Sequence, residues 1–194
     1  MASIKNVLSA CVASFYLVAA STGAYASDSP FISLDSNGNG AATWFTYNMG
    51  GNSIIQANTF VSSAWGTTPA TISSVSDNVF GPKIAVITNT NSQDPDISAV
   101  AIWGQQDPLT GNMSMYAAML PSAQSGVWTN AARISSGAES AISTSEYFIR
   151  ADSNGNVLAV WAAVDASGNE YIWSNTSQIN ATNSWNSLTS ISGP

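Results

Sequence analysis

The sequence predicts an all-β fold of three four-stranded antiparallel units, and three observations carry the prediction. Trp44, Trp103 and Trp161 recur 59 and 58 residues apart, and each has an aspartate nine positions upstream, at Asp35, Asp94 and Asp152. A second series runs in step: Trp65, Trp128 and Trp185 are each followed six or seven residues later by an Ile-Ser pair, at Ile72, Ile134 and Ile191. Between these marks lie short alternating segments bounded by Gly, Asn, Asp and Ser, the pattern of antiparallel strands, with no sustained helical period. Repeats at such spacing are the mark of an array in which each unit buries its apolar face on a neighbour.

The elements are taken in chain order. Residues 1–26 read as a signal peptide: MASIKN carries Lys5, the run VLSACVASFYLVAA is apolar, and Ala24-Tyr25-Ala26 puts small residues at both cleavage-determining positions. The expected mature chain starts near Ser27 and is secreted or periplasmic. It holds no transmembrane segment, since the apolar run falls short of the roughly 20 residues that cross a bilayer. The rival lipoprotein reading of Leu8 to Cys11 is set against by the apolar run continuing past Cys11. The first unit, about residues 28–80, supplies ISL, AATWF, SIIQAN and WGTTPATIS as strands. The second, about 81–143, supplies SAVAIW, MSMYAAML and WTNAARIS, with its first turn expanded by TNTNSQDPD. The third, about 144–194, repeats the first most closely: FIRAD at 148–152 matches FISLD at 31–35, and VLAVW, EYIWSN and WNSLTSIS come after it.

Four strands in about 58 residues suit a propeller blade. The pattern Asp-x-x-Gly-Asn, an apolar strand ending in Val-Trp, then Ile-Gln-Ala or Ile-Trp-Ser, then Trp and Ile-Ser resembles the blade repeats of secreted bacterial β-propeller proteins. The resemblance spans nearly all of the mature chain and implies an architecture and a compartment rather than a chemistry. Three blades do not complete a ring, which takes roughly four to eight. The expected assembly is therefore an open arc docked on another protein or a cell-surface polymer, a homodimer closing two arcs into a six-bladed ring, or a shortened relative of a longer propeller.

Composition removes whole classes of function. The chain has no histidine, and its one cysteine, Cys11, lies in the leader, so Cys/His metal sites and Ser-His or Cys-His catalysis are excluded. Beyond the leader, Lys83, Arg133 and Arg150 face 11 acidic residues, a balance that repels phosphate backbones and excludes nucleic acid as a partner. DSNGNG at 35–40 has the first half of a calcium loop, but position twelve is Thr46 where a bidentate Glu is required. A repeated tight turn explains the motif more simply. Ser33, Asp35, Gly38 and Trp44 are similar in kind to the Asp box of sialidase-like propellers, with Gly and Trp too far from the Asp to match it. Two arginines do not make the cluster that such enzymes need to hold a carboxylate. Glu139, Glu146 and Glu170 are the candidates for a glycoside-cleaving carboxylate pair, though none recurs between units.

The recurrent tryptophans are expected in the shared core, where burying about 200 Å² of ring stabilises by about 5 kcal/mol each. Trp65, Trp128 and Trp185 are expected to staple the outer strands. Alternation places Ile55 and Ile172 inward, and Gln56, Tyr116 and Trp173 on the opposite face. Trp173, beside Asn175 and Asn183, is the candidate for stacking on a sugar ring, with Tyr116 and Gln56 as its equivalents. The reading is a secreted, non-enzymatic binding or scaffold module for a surface glycan or protein, with no cofactor. The alternatives are a glycoside-acting enzyme that uses an Asp/Glu pair, and a truncated copy without independent activity.

Overall fold

The computed structural model describes residues 30–74, 78–88, 96–106, 111–136, 141–165, 167–180 and 182–192, with no side chains for 141–145. The predicted leader, Asp94 and Glu139 lie outside the described residues. All described elements are strands, in three antiparallel sheets that succeed one another along the chain. The first contains β1 (Phe31–Leu34), β2 (Gly40–Tyr47) and β3 (Ser53–Val61), with β4 (Ala64–Trp65) and β5 (Ala70–Thr71) both paired to β3. The second runs β6 (Val79–Thr88), β7 (Ile97–Gln106), β8 (Met113–Leu120) and β9 (Ala132–Arg133). The third runs β10 (Ala141–Ala151), β11 (Asn156–Val164), β12 (Glu170–Gln178) and β13 (Thr189–Ser190).

The two tryptophan series mark equivalent places in each sheet. Trp44 pairs with Gln56, Trp103 with Tyr116 and Trp161 with Trp173. The second strand runs three residues beyond each of Trp44, Trp103 and Trp161 before it turns. Each outer tryptophan and the Ile-Ser pair that follows it clasp the frayed outer strand. The residue after each outer tryptophan donates inward, Gly66 to Thr59 O, Thr129 to Met119 O and Asn186 to Thr176 O. Farther along, Ile72, Ile134 and Ile191 donate to the carbonyls of Ile55, Met115 and Ile172. The next serine returns the bond: the N–H groups of Ile55, Met115 and Ile172 donate to the Oγ of Ser73, Ser135 and Ser192 at 2.8, 3.0 and 2.8 Å. Strands of two residues are held to the sheet in this way, with a hydroxyl completing the ladder that the backbone leaves short.

The sheets stack face to face in chain order. One core joins Ala41, Ile55, Ala57 and Ile72 of the first sheet to Ile84, Ala101, Trp103 and Leu120 of the second. The other joins Val100, Ile102, Met115 and Ile134 of the second to Tyr147, Val157 and Trp161 of the third. The middle sheet is thus covered on both faces, and nine of the ten β7 residues are buried. Side chains alternate across a strand, so each seam has the same sense: a sheet seats its tryptophan face on the non-tryptophan face of the sheet before it. Polar stitches reinforce the order. Thr88 Oγ1 donates to Asp35 Oδ2 at 2.9 Å, and Ser53 Oγ donates to Val79 O at 2.9 Å between the first two sheets. Tyr147 of the third donates its hydroxyl to Gly81 O on β6, where the β6–β7 register shifts between Phe80 and Lys83. Glycine at 104 leaves room for the Phe80 ring, which would lie 2.4 Å from a Cβ there.

Candidate functional site

The Asp-x-x-Gly-Asn segments are turns with one hydrogen-bond scheme. In 35–39 and 152–156 the first residue donates its N–H to the carbonyl of the fifth, and the glycine donates to the carbonyl of the first. The aspartate Oδ1 accepts the N–H of the third and fifth residues, at 2.8 and 2.9 Å for Asp35 and 2.9 and 2.9 Å for Asp152. Glycine takes the fourth place because φ is +82° at both Gly38 and Gly155. Asn48 and Asp165 open the same hydrogen-bond scheme, with Gly51 and Gly168 in fourth place. The Oδ1 atoms thus hold the turns together, which is the structural role that the sequence pattern suggests. Among the described residues no group of three or more His, Cys, Asp or Glu gathers to hold a metal. The side-chain bond from Asn156, with backbone N–H groups behind it, lowers the Asp152 carboxyl below the usual 3.8. The Asn169 backbone N–H does the same first for Asp165.

The three ligand candidates from the sequence do not meet. Gln56, Tyr116 and Trp173 hold equivalent places on three successive sheets, each beside its own recurrent tryptophan. Tyr116 stacks on Trp103, centroids 6.5 Å apart at 21°. Trp173 is half-buried against the seam between the second and third sheets, and its Nε1 is buried without a partner among the described residues. Asn175 and Asn183, expected beside it as sugar contacts, are buried: Asn175 Nδ2 donates to Ile134 O at 2.9 Å, and Asn183 Nδ2 to Ala117 O at 2.9 Å. They stitch the third sheet to the second. The expectation that Ile172 points inward like Ile55 is corrected because no described sheet packs over its face. Ile55 is buried in the first seam, whereas Ile172 occupies the same face of the last described sheet and is only half-buried.

That outer face of the third sheet is the open surface of the stack. Phe148 is 64% exposed, Leu158 46% and Ile191 59%. Their repeat counterparts are covered: Phe31 lies under the Lys83 ammonium, 4.7 Å from its ring centroid, Ala41 and Val100 are fully buried, and Ile72 and Ile134 are 4% and 3% exposed. On this face an open cleft of about 460 Å³ is lined by Arg150, Asp152, Asn156, Leu158, Thr176 and Asn186, among others. Asn186 Nδ2 donates to Thr176 Oγ1 at 2.8 Å, and Arg150 Nη1 donates to Ile149 O at 3.1 Å, so the rim is pre-ordered. Sequence patterning does not disclose this site: Asp152 and Asn156 belong to the repeated turn, but Arg150, Leu158, Thr176 and Asn186 carry no motif. The mismatch between Phe148 and its covered twin Phe31 emerges only once the sheets are stacked. Glu146 and Glu170 are exposed on β10 and β12.

The geometry is that of an all-β protein of three stacked antiparallel sheets, the first of five strands and the other two of four. No protein-family model matches the chain, and no curated protein matches it. Among solved structures, "Hadza microbial sialidase Hz136" is similar to it with a TM-score of 0.51 at 11% identity, over 80% of this chain and 36% of that one. The chain therefore spans about a third of that structure's length, and at this identity the likeness is one of fold. No helix among the described residues is long and apolar enough to cross a membrane.

Proposed function

We propose that the chain is a secreted, non-enzymatic binding module that takes a surface carbohydrate at the outer face of the third sheet. One observation carries the reading: among the described residues this face presents exposed apolar side chains beside a polar cleft, where its equivalents on the other two sheets are covered. Leu158 gives the cleft an apolar wall, and Asp152, Asn156, Thr176 and Asn186 ring it with donors and acceptors, the mixture that recognises hydroxyl-rich rings. The fold likeness to a protein called a sialidase lends weight to a glycan over other ligands. The recurrent aspartates are occupied in turns. Arg133 and Arg150 belong to different sheets and faces, so they do not join to grip one carboxylate.

Binding to a glycan array, followed by calorimetry on the best sugar, tests the reading. Thr176→Ala with Asn186→Ala is expected to weaken binding about tenfold or more, as loss of two hydrogen-bonding groups does. Absence of binding to every glycan removes the carbohydrate reading. The same fold likeness favours a second reading, a glycoside-acting enzyme, and release of a fluorogenic aglycone from sialoside or neutral glycoside substrates would establish it in place of the first.

A further inference from the structure

We propose that two copies of this chain pair reversibly through the outer faces of their third sheets, about a two-fold axis that crosses β10 at Phe148. Three residues on that face of β10 alternate with buried ones: Glu146, Phe148 and Arg150 are all exposed, while Tyr147 and Ile149 are buried. The anion and the cation thus stand two residues to either side of the ring. A two-fold axis lying between the faces and perpendicular to the strand turns this row onto itself. Phe148 then meets Phe148, Glu146 meets Arg150 of the partner, and Arg150 meets its Glu146, a self-complementary patch of the kind an isologous contact needs.

The repeat independently argues that the face suits a second sheet. In the first sheet the same positions receive the second sheet, and in the second they receive the third. The apolar residues persist in the third sheet as Phe148, Leu158, Val160, Ile172 and Ile191. Polar residues have entered beside them. By register, Arg150, Ser174 and Thr176 stand where the second sheet carries Ala85, Ala117 and Met119. Three polar side chains in place of three apolar ones lower the apolar content of the face, which suits a contact that opens and closes. A head-to-tail contact would instead use the Trp44 face of the first sheet, where Ala42, Trp44, Ile54 and Phe60 are buried and, among the described apolar side chains, only Ile32 and Leu34 are exposed, at 41% and 37%, and it would not bring Glu146 to Arg150.

The contact goes beyond the binding reading and uses Arg150 and Leu158, which also line the cleft, so sugar and second copy exclude each other. The test is made without sugar, and its failure leaves the glycan reading standing. Sedimentation velocity of the purified protein over a concentration series is expected to show a monomer–dimer equilibrium. Glu146→Arg and Arg150→Glu, each bringing like charges together, should weaken it at least about tenfold. The double swap Glu146→Arg with Arg150→Glu should restore it to within about threefold, which no folding defect would do. Thermal melting of each variant confirms that the sheets stay folded. A wild-type monomer up to about millimolar concentration overturns the proposal. So does a dimer indifferent to the single reversals, as edge-to-edge or head-to-tail pairing would give, and so does failure of the double swap.

Discussion

Trp103 and Trp161 occupy one place in the repeat and differ in a single bond. Trp103 Nε1 donates to Gln105 Oε1 at 3.1 Å, whereas two residues beyond Trp161 stands Ala163, and the Trp161 Nε1 is buried without a partner among the described residues. Removing an indole N–H therefore breaks a buried bond in one sheet and relieves an orphan in the other. Trp103→Phe is expected to destabilise the protein by about 0.5–1.5 kcal/mol more than Trp161→Phe, because it breaks a buried hydrogen bond that has no counterpart at Trp161. Paired denaturant titrations measure the difference, and equal losses would contradict it. The repeat spacing marks these rings as core residues. It does not reveal which face of Trp173 meets water, because alternation separates two faces of a strand without saying which one a neighbouring sheet covers.

At the scale of the element, four turns share one scheme, and only two were legible. DSNGN at 35–39 and 152–156 repeats letter for letter, but NMGGN at 48–52 and DASGN at 165–169 keep only the glycine, the final asparagine and a first side chain with an Oδ1. That looser spacing, Asp or Asn, two residues, Gly, Asn, is the physical requirement: an acceptor at one end and positive φ at the fourth place. Asn48 shows that the acceptor need not be charged. The Asp152 and Asp165 carboxyls titrate lower in the folded chain than in the unfolded one, so their contribution is present above the usual 3.8 and is lost as pH falls through the lowered folded values. Asp152→Asn with Asp165→Asn is expected to keep the turns and flatten the fall in melting temperature below about pH 4. An unchanged acid limb would show that these carboxylates are not bound as the turns require. The Ile-Ser pairs were likewise legible as markers, while their role as clasps needed the sheet.

For the whole molecule, sequence periodicity predicts the all-β class and the number and order of the sheets, because each must bury its own apolar rows, though the first sheet holds five strands where four are expected. Which row stays open was hidden. FISLD and FIRAD are nearly the same string, yet Phe31 is packed beneath Lys83 and Phe148 faces solvent, since the difference lies in whether another sheet packs over the face. The isoleucines of the three clasps give the most direct measurement, for they share one residue type, one hydrogen bond and one face. In a Cys11→Ser background, Ile72→Cys, Ile134→Cys and Ile191→Cys are each exposed to a maleimide at low protein concentration, and the labelling rates are compared. The stacked arrangement predicts rapid labelling at position 191 and labelling slower by at least about a hundredfold at 72 and 134, limited there by opening of the seams. Equal rates at all three positions would contradict the ordered stack and its open third face.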